Sequence, residues 1–169
     1  MKAADLIRNV LNMNEVHLAI IADMRETPLV QPTSLGGNHP LWVIGHLAIV
    51  EEIFRSMITG ESTTLNQWHE LFGATTVPSS DASKYPEFDT LMDEYKKQRA
   101  LNLAMLDGLA ESDLEQPLQS PPPGMTEEMI AQFFPNAATT LLVMTNHFAF
   151  HCGQVADARR ALGKAPLMF

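Results

Sequence analysis

The chain has 169 residues, 46% hydrophobic and 18% charged, with a formal net charge of −9. This excludes a disordered chain and argues against binding nucleic acid or an anionic membrane surface, since eleven Lys and Arg lie scattered among twenty Asp and Glu. The single cysteine, Cys152, excludes an internal disulfide framework and a four-cysteine zinc site.

The length suits one domain spanning 1–169. The amino-terminal stretch turns charged too soon for a secretory signal, and no apolar run nears the ~20 residues of a membrane span. The expected setting is cytoplasmic.

Helical periodicity dominates. The first helix is expected over about Ala3–Met24, with Leu6, Ile7, Val10, Met13, His17, Ile20, Ile21 and Met24 on its apolar face. Pro28 and Pro32 then force an extended stretch. Pro40 suits the first turn of a second helix, where its missing N–H costs nothing. Trp42, His46, Ile49, Ile53 and Met57 form that helix's stripe, and Gly60 is its expected left-handed stop.

Residues 61–86 are expected to be irregular, carrying Trp68, His69, Phe72, Pro78 and Pro86. A third helix spans about Glu87–Ala110, with Phe88, Leu91, Met92, Tyr95, Leu101, Met105, Leu106 and Leu109 on its apolar side. Pro117 and the run Pro121–Gly124 exclude helix over 112–124. A short helix is expected from Thr126 to Phe134, capped by Thr126. The fourth long helix runs from about Ala137 to Leu162, with Gly163 ending it. The fold class is therefore all-α: a four-helix bundle whose long connections permit a topology other than simple up-down-up-down.

Chemistry concentrates in the histidines. His147 and His151 are four apart, so a helix projects both from one side, where they can hold one metal ion. They share an inward stripe with Met144, Val155, Ala158 and Leu162. His46 lies on the inward stripe of the second helix. Inward imidazoles cost free energy unless hydrogen-bonded or ligated. A lone inward histidine is usually a satisfied core residue, so the residues alone leave two readings of this trio: metal ligands or a hydrogen-bonded cluster. His17 is either a fourth ligand or a packing residue, His39 reads as structural, and His69 either touches a substrate or is solvated. Cys152 turns about 100° from His151 around the helix and reads as a small buried hydrophobe. The sequence lacks H-E-x-x-H, Glu-x-x-His, P-loop, G-x-G-x-x-G and G-x-S-x-G motifs.

The segments Leu41-Trp42-Val43-Ile44-Gly45-His46-Leu47 and Asn146-His147-Phe148-Ala149-Phe150-His151-Cys152-Gly153-Gln154 resemble the DinB superfamily of metal-binding four-helix bundles (DinB/YfiT-like). The tail Arg160–Pro166 and the loop Trp68–Pro86 are similar to the same family. The resemblance implies a metal triad of His46, His147 and His151. It implies that Gln154, one turn beyond, binds at the cofactor by orienting a ligand or bound water.

It also implies a divalent ion (nickel, zinc or iron), a low-molecular-weight thiol such as bacillithiol or mycothiol, a small-molecule substrate and a homodimer. Cys152 departs from the family's more usual basic or polar residue, which bears on how a thiol's carboxylate would be met. Two functions follow as expectations: a metal-dependent S-transferase or isomerase using such a thiol, or a non-enzymatic metal-binding, stress-response or interaction bundle.

Overall fold

Helices begin where a side chain can take up the free N–H groups of a first turn. In the computed structural model, which describes residues 2–32, 34–122 and 124–167, three starts show this. His39 Nδ1 accepts from the Trp42 N–H at 3.0 Å, with Pro40 in the first turn. Thr126 Oγ1 accepts from the Met129 N–H at 3.2 Å, and Asn136 Oδ1 from the Thr139 N–H at 2.9 Å. Gly60 and Gly163 close their helices at φ 77° and 74°.

The order is α1 (Ala3–Ala22), α2 (Pro40–Thr59), α3 (Asn66–Phe72), α4 (Phe88–Gly108), α5 (Glu111–Leu114), α6 (Glu127–Phe133) and α7 (Ala137–Ala161), with a 3₁₀ turn at Ala82–Lys84. The described residues contain no strand. The four long helices form a ring in which α1 packs on α7, α7 on α2, α2 on α4 and α4 on α1. Arg8 pairs with Asp107 and Arg25 with Asp89, so α1 and α4 run antiparallel. Asp23 meets Arg159 at 2.8 Å, so α1 and α7 end at the same pole. His46 meets His147 while Phe54 meets Phe134, so α2 and α7 are antiparallel. The bundle is thus up-down-down-up, an outcome the long connections permit.

Several expectations require correction. The core face of α1 is Ile7, Leu11, Asn14, Leu18 and Ile21, whereas Leu6 and Met13 are exposed and Val10 and His17 half-buried. Two interleaved stripes at helical spacing compete there. Asn14 makes the true one look polar. On α4, Leu101 is exposed and Met105 half-buried, while Gln98, Arg99 and Asn102 face the core. Leu162 lies beyond α7 and is exposed.

The segment 61–86 is not irregular throughout. It contains α3 and the 3₁₀ turn, both complete before the next proline. Likewise α5 forms its turn through Leu114, ahead of Pro117. Within the expected Pro121–Gly124 interruption, Pro123 lies outside the described residues.

The polar residues on α4 are matched by α2. Arg99 donates to Glu51 from Nη2 at 2.6 Å and Nε at 3.1 Å, and to the Leu11 carbonyl at 3.0 Å. Asn102 Nδ2 donates to Glu51 Oε2 at 2.6 Å. Arg99 also lies over the Tyr95 and Phe148 rings. This satisfied network ties three helices at the bundle's centre, in a region where an unpaired charge would cost several kcal/mol (order of magnitude ~3–5).

Candidate metal centre

The site is built outward from α2. Glu52 is buried, and its carboxylate accepts from the Thr64 N–H at 2.8 Å, the Thr64 hydroxyl at 2.6 Å and the Leu65 N–H at 3.1 Å. Burial alone would push this carboxyl up; the three donors outweigh it and hold it below its ordinary value. These bonds dock the start of α3 on α2. The other end is set by Gly45: a Cβ there would run into the Phe72 ring, so the missing side chain lets α3 approach. The Phe72 carbonyl then reaches His46 Nδ1 at 2.7 Å.

A carbonyl can only accept, so His46 carries its proton on Nδ1 and turns a lone pair outward at Nε2. Trp42 stacks on the His46 ring at 4.5 Å between centroids and 11° between planes, and its indole N–H is held by Thr76 Oγ1 at 3.0 Å.

Across the interface, α7 supplies His147 and His151. His151 Nδ1 lies 2.9 Å from Gln154 Oε1, which also accepts from Asn38 Nδ2 at 3.2 Å. His151 is thereby fixed with its Nε2 lone pair free as well. His147 Nε2 lies 2.9 Å from His46 Nε2 and 3.1 Å from His151 Nε2. The ligand atoms of the three residues all lie within 4.8 Å of one another.

Three imidazole nitrogens facing inward repel unless something positive sits among them. A proton on His147 Nε2 can serve one neighbour; a cation can serve all three. The donor set therefore fits a divalent metal of borderline softness.

His46 and His151 are buried, and His147 is half-buried. Loss of hydration, followed by repulsion from the neighbouring rings, pulls His46 down to about 3 and His147 to about 4. Burial lowers His151 too, against the pull of Gln154. All three are consequently neutral at pH 7, the form a metal requires.

Among the described residues no fourth His, Cys, Asp or Glu joins the cluster. His17 does not: it sits on α1, with a buried Nδ1 that lacks a partner among the described residues. His69 on α3 is also apart from the trio, and its Nε2 is buried without a partner among the described residues. His39 is the structural cap its position suggests, with Nε2 on the Ser79 carbonyl at 3.0 Å. Cys152 is buried, and burial pushes its thiol up to about 12, which leaves it inert as a nucleophile. Glu51, held by Arg99 and Asn102, is no free base.

Sequence reasoning missed two contributors. The Phe72 carbonyl leaves no trace in residue type. Asn38 precedes the His39-Pro40 helix start and could have been noticed there, but only the fold brings it to Gln154, 116 positions away.

No helix of the described residues is long and apolar enough to cross a membrane. Among curated proteins, none matches the chain. The family model of the DinB superfamily matches residues 13–155, a span that contains all three histidines, Gln154 and Asn38 and leaves the tail after Val155 outside. The chain belongs to the DinB superfamily.

Proposed function

We propose that His46, His147 and His151 hold one divalent ion, nickel, zinc or iron, and that the protein is a transferase joining a low-molecular-weight thiol to a small electrophile. The observation that carries this reading is the convergence of three neutral imidazoles, two of them fixed through their Nδ1 protons, with no fourth His, Cys, Asp or Glu in the cluster among the described residues. Structural sites are closed by a fourth protein ligand, whereas three-ligand sites keep positions for a reactant. Three neutral ligands leave a divalent ion its full charge, so it supplies Lewis acidity that favours the deprotonated form of a thiol at neutral pH.

The chain's own residues do the positioning. The Phe72 carbonyl and Gln154 hold two ring orientations, and Trp42 covers one face of His46 against water. In the reaction a sulfur–carbon bond forms, the thiol proton passes to solvent and the electrophile's leaving group departs. A homodimer belongs to the same reading, supported by the exposure of Leu6, Met13 and Val16 along α1. Sedimentation showing monomer alone at micromolar concentration would refute that part.

The test is a panel of bacillithiol, mycothiol, glutathione and coenzyme A against a generic electrophile, with each candidate metal. The expected result is metal-dependent conjugation that His151→Ala abolishes while helical circular dichroism is kept. Absence of turnover with every pair overturns the enzymatic reading and leaves a metal-binding module.

A further inference from the structure

A pocket of about 360 Å³ lies beside the histidine cluster, between the 34–38 loop and the outer face of α7, lined by Ser34, Asn38, Phe150, Gly153, Gln154 and Asp157 among others. It is coupled to the site by one residue, since Gln154 Oε1 holds both His151 and Asn38. With its oxygen occupied by those two donors, Gln154 has its amide nitrogen left for a ligand, and Asn38 keeps its carbonyl oxygen. Asp157 is the single charged residue of the lining, and among the described residues it is in no ion pair.

The backbone of α7 is open at the same place. Gly153 lies inside α7, where glycine is a poor helix former, and it is exposed. A Cβ built there meets nothing within 4 Å, so packing of the protein does not require its absence. A glycine in such a position leaves the backbone open to close approach. Here that space belongs to the pocket.

We infer that this pocket binds the non-reacting end of the small-molecule ligand, and that it selects an ammonium- or hydroxyl-bearing group over an anionic one. Asp157 and the Asn38 oxygen accept hydrogen bonds, and a carboxylate or phosphate would meet Asp157 as a like charge. The volume is of the size that takes a small ligand or fragment. The inference rests on the proposed metal centre only for where the ligand's reacting end goes; the selectivity itself is tested without metal.

The experiment titrates isotope-labelled, metal-free protein with cysteamine and with 3-mercaptopropionate, reading amide shifts at Asn38, Gly153, Gln154 and Asp157. Cysteamine is expected to move these signals and to bind at least about fivefold tighter than the acid. Asp157→Asn should erase that preference. Gly153→Ala should weaken cysteamine by a similar factor while raising Tm by about 1–4 °C, because alanine is the better helix former. A merely structural glycine would not separate stability from binding in this way.

Equal binding of the two probes, or Gly153→Ala binding cysteamine as wild type does, overturns the inference. So does a change of oligomeric state in Gly153→Ala, which would make this face a contact between copies. Failure of wild-type protein to bind metal would sink the proposed centre and leave these shifts untouched.

Discussion

Acidifying metal-free protein from pH 7 to pH 5 should lower its stability, and the buried histidines set by how much. His46 sits at about 3 in the fold, against about 6.5 in an unfolded chain. Between those values the unfolded chain binds a proton that the folded chain refuses, so stability rises with pH and is lost as pH falls below about 6.5.

Each pH unit in that window is worth ~1.4 kcal/mol, so His46 alone costs about 2 kcal/mol by pH 5. His147, pulled to about 4, adds less than the same again because the two rings touch and cannot titrate independently. For a chain of this length the His46 contribution corresponds to a Tm drop of about 4–8 °C.

The assay is thermal unfolding by circular dichroism at intervals from pH 7 to pH 5, for wild type and His46→Gln. The variant's Tm should fall less steeply. Parallel slopes in the two proteins would refute the assignment. The same burial bears on the metal. Free imidazole chemistry would release an ion below about pH 6, whereas burial holds His46 at about 3 and His147 at about 4 and lowers His151 as well, so metal release should begin at a lower pH than free imidazole would give.

Gly45→Ala should drive the Phe72 ring away and withdraw its carbonyl from His46, costing about 1–3 kcal/mol in urea unfolding and weakening metal affinity; unchanged affinity would disconnect α3 from the site. Glu51→Ala strands the buried Arg99 charge and should cost about 3–5 kcal/mol, measured the same way, with a loss under ~1 kcal/mol contradicting the network's role. Cys152→Ser should leave metal content and conjugation as they are, and the native thiol should react with a disulfide reagent only on unfolding. Fast labelling of folded protein would show the thiol misread.

The long helices, the glycine stops at 60 and 163 and the histidine trio were legible because each has a local signature: apolar spacing, a glycine just past a periodic run, and rings on inward stripes, His147 and His151 four apart and His46 with Trp42 and Ile49. The core faces of α1 and α4 were not. Gln98, Arg99 and Asn102 are polar residues buried on partners from α2, Asn14 is buried with no partner for its amide nitrogen among the described residues, and nothing local announces a partner 48 residues away such as Glu51 for Arg99. Helix α3 was hidden for a related reason. Seven residues without a long periodic pattern are helical because Glu52 and Gly45 hold them against α2. The three converging histidines and Gln154 were thus readable, and the Phe72 carbonyl and Asn38 were not.

The central claim is that three histidines from two helices serve one ion. Its most direct test is a metal titration with elemental analysis on protein purified without an affinity tag, for wild type and for His46→Ala, His147→Ala and His151→Ala. The account predicts one ion per wild-type chain and affinity reduced at least about tenfold in each variant, with helical content retained. Wild-type affinity in His46→Ala would show that α2 contributes no ligand, and the proposed centre would fall.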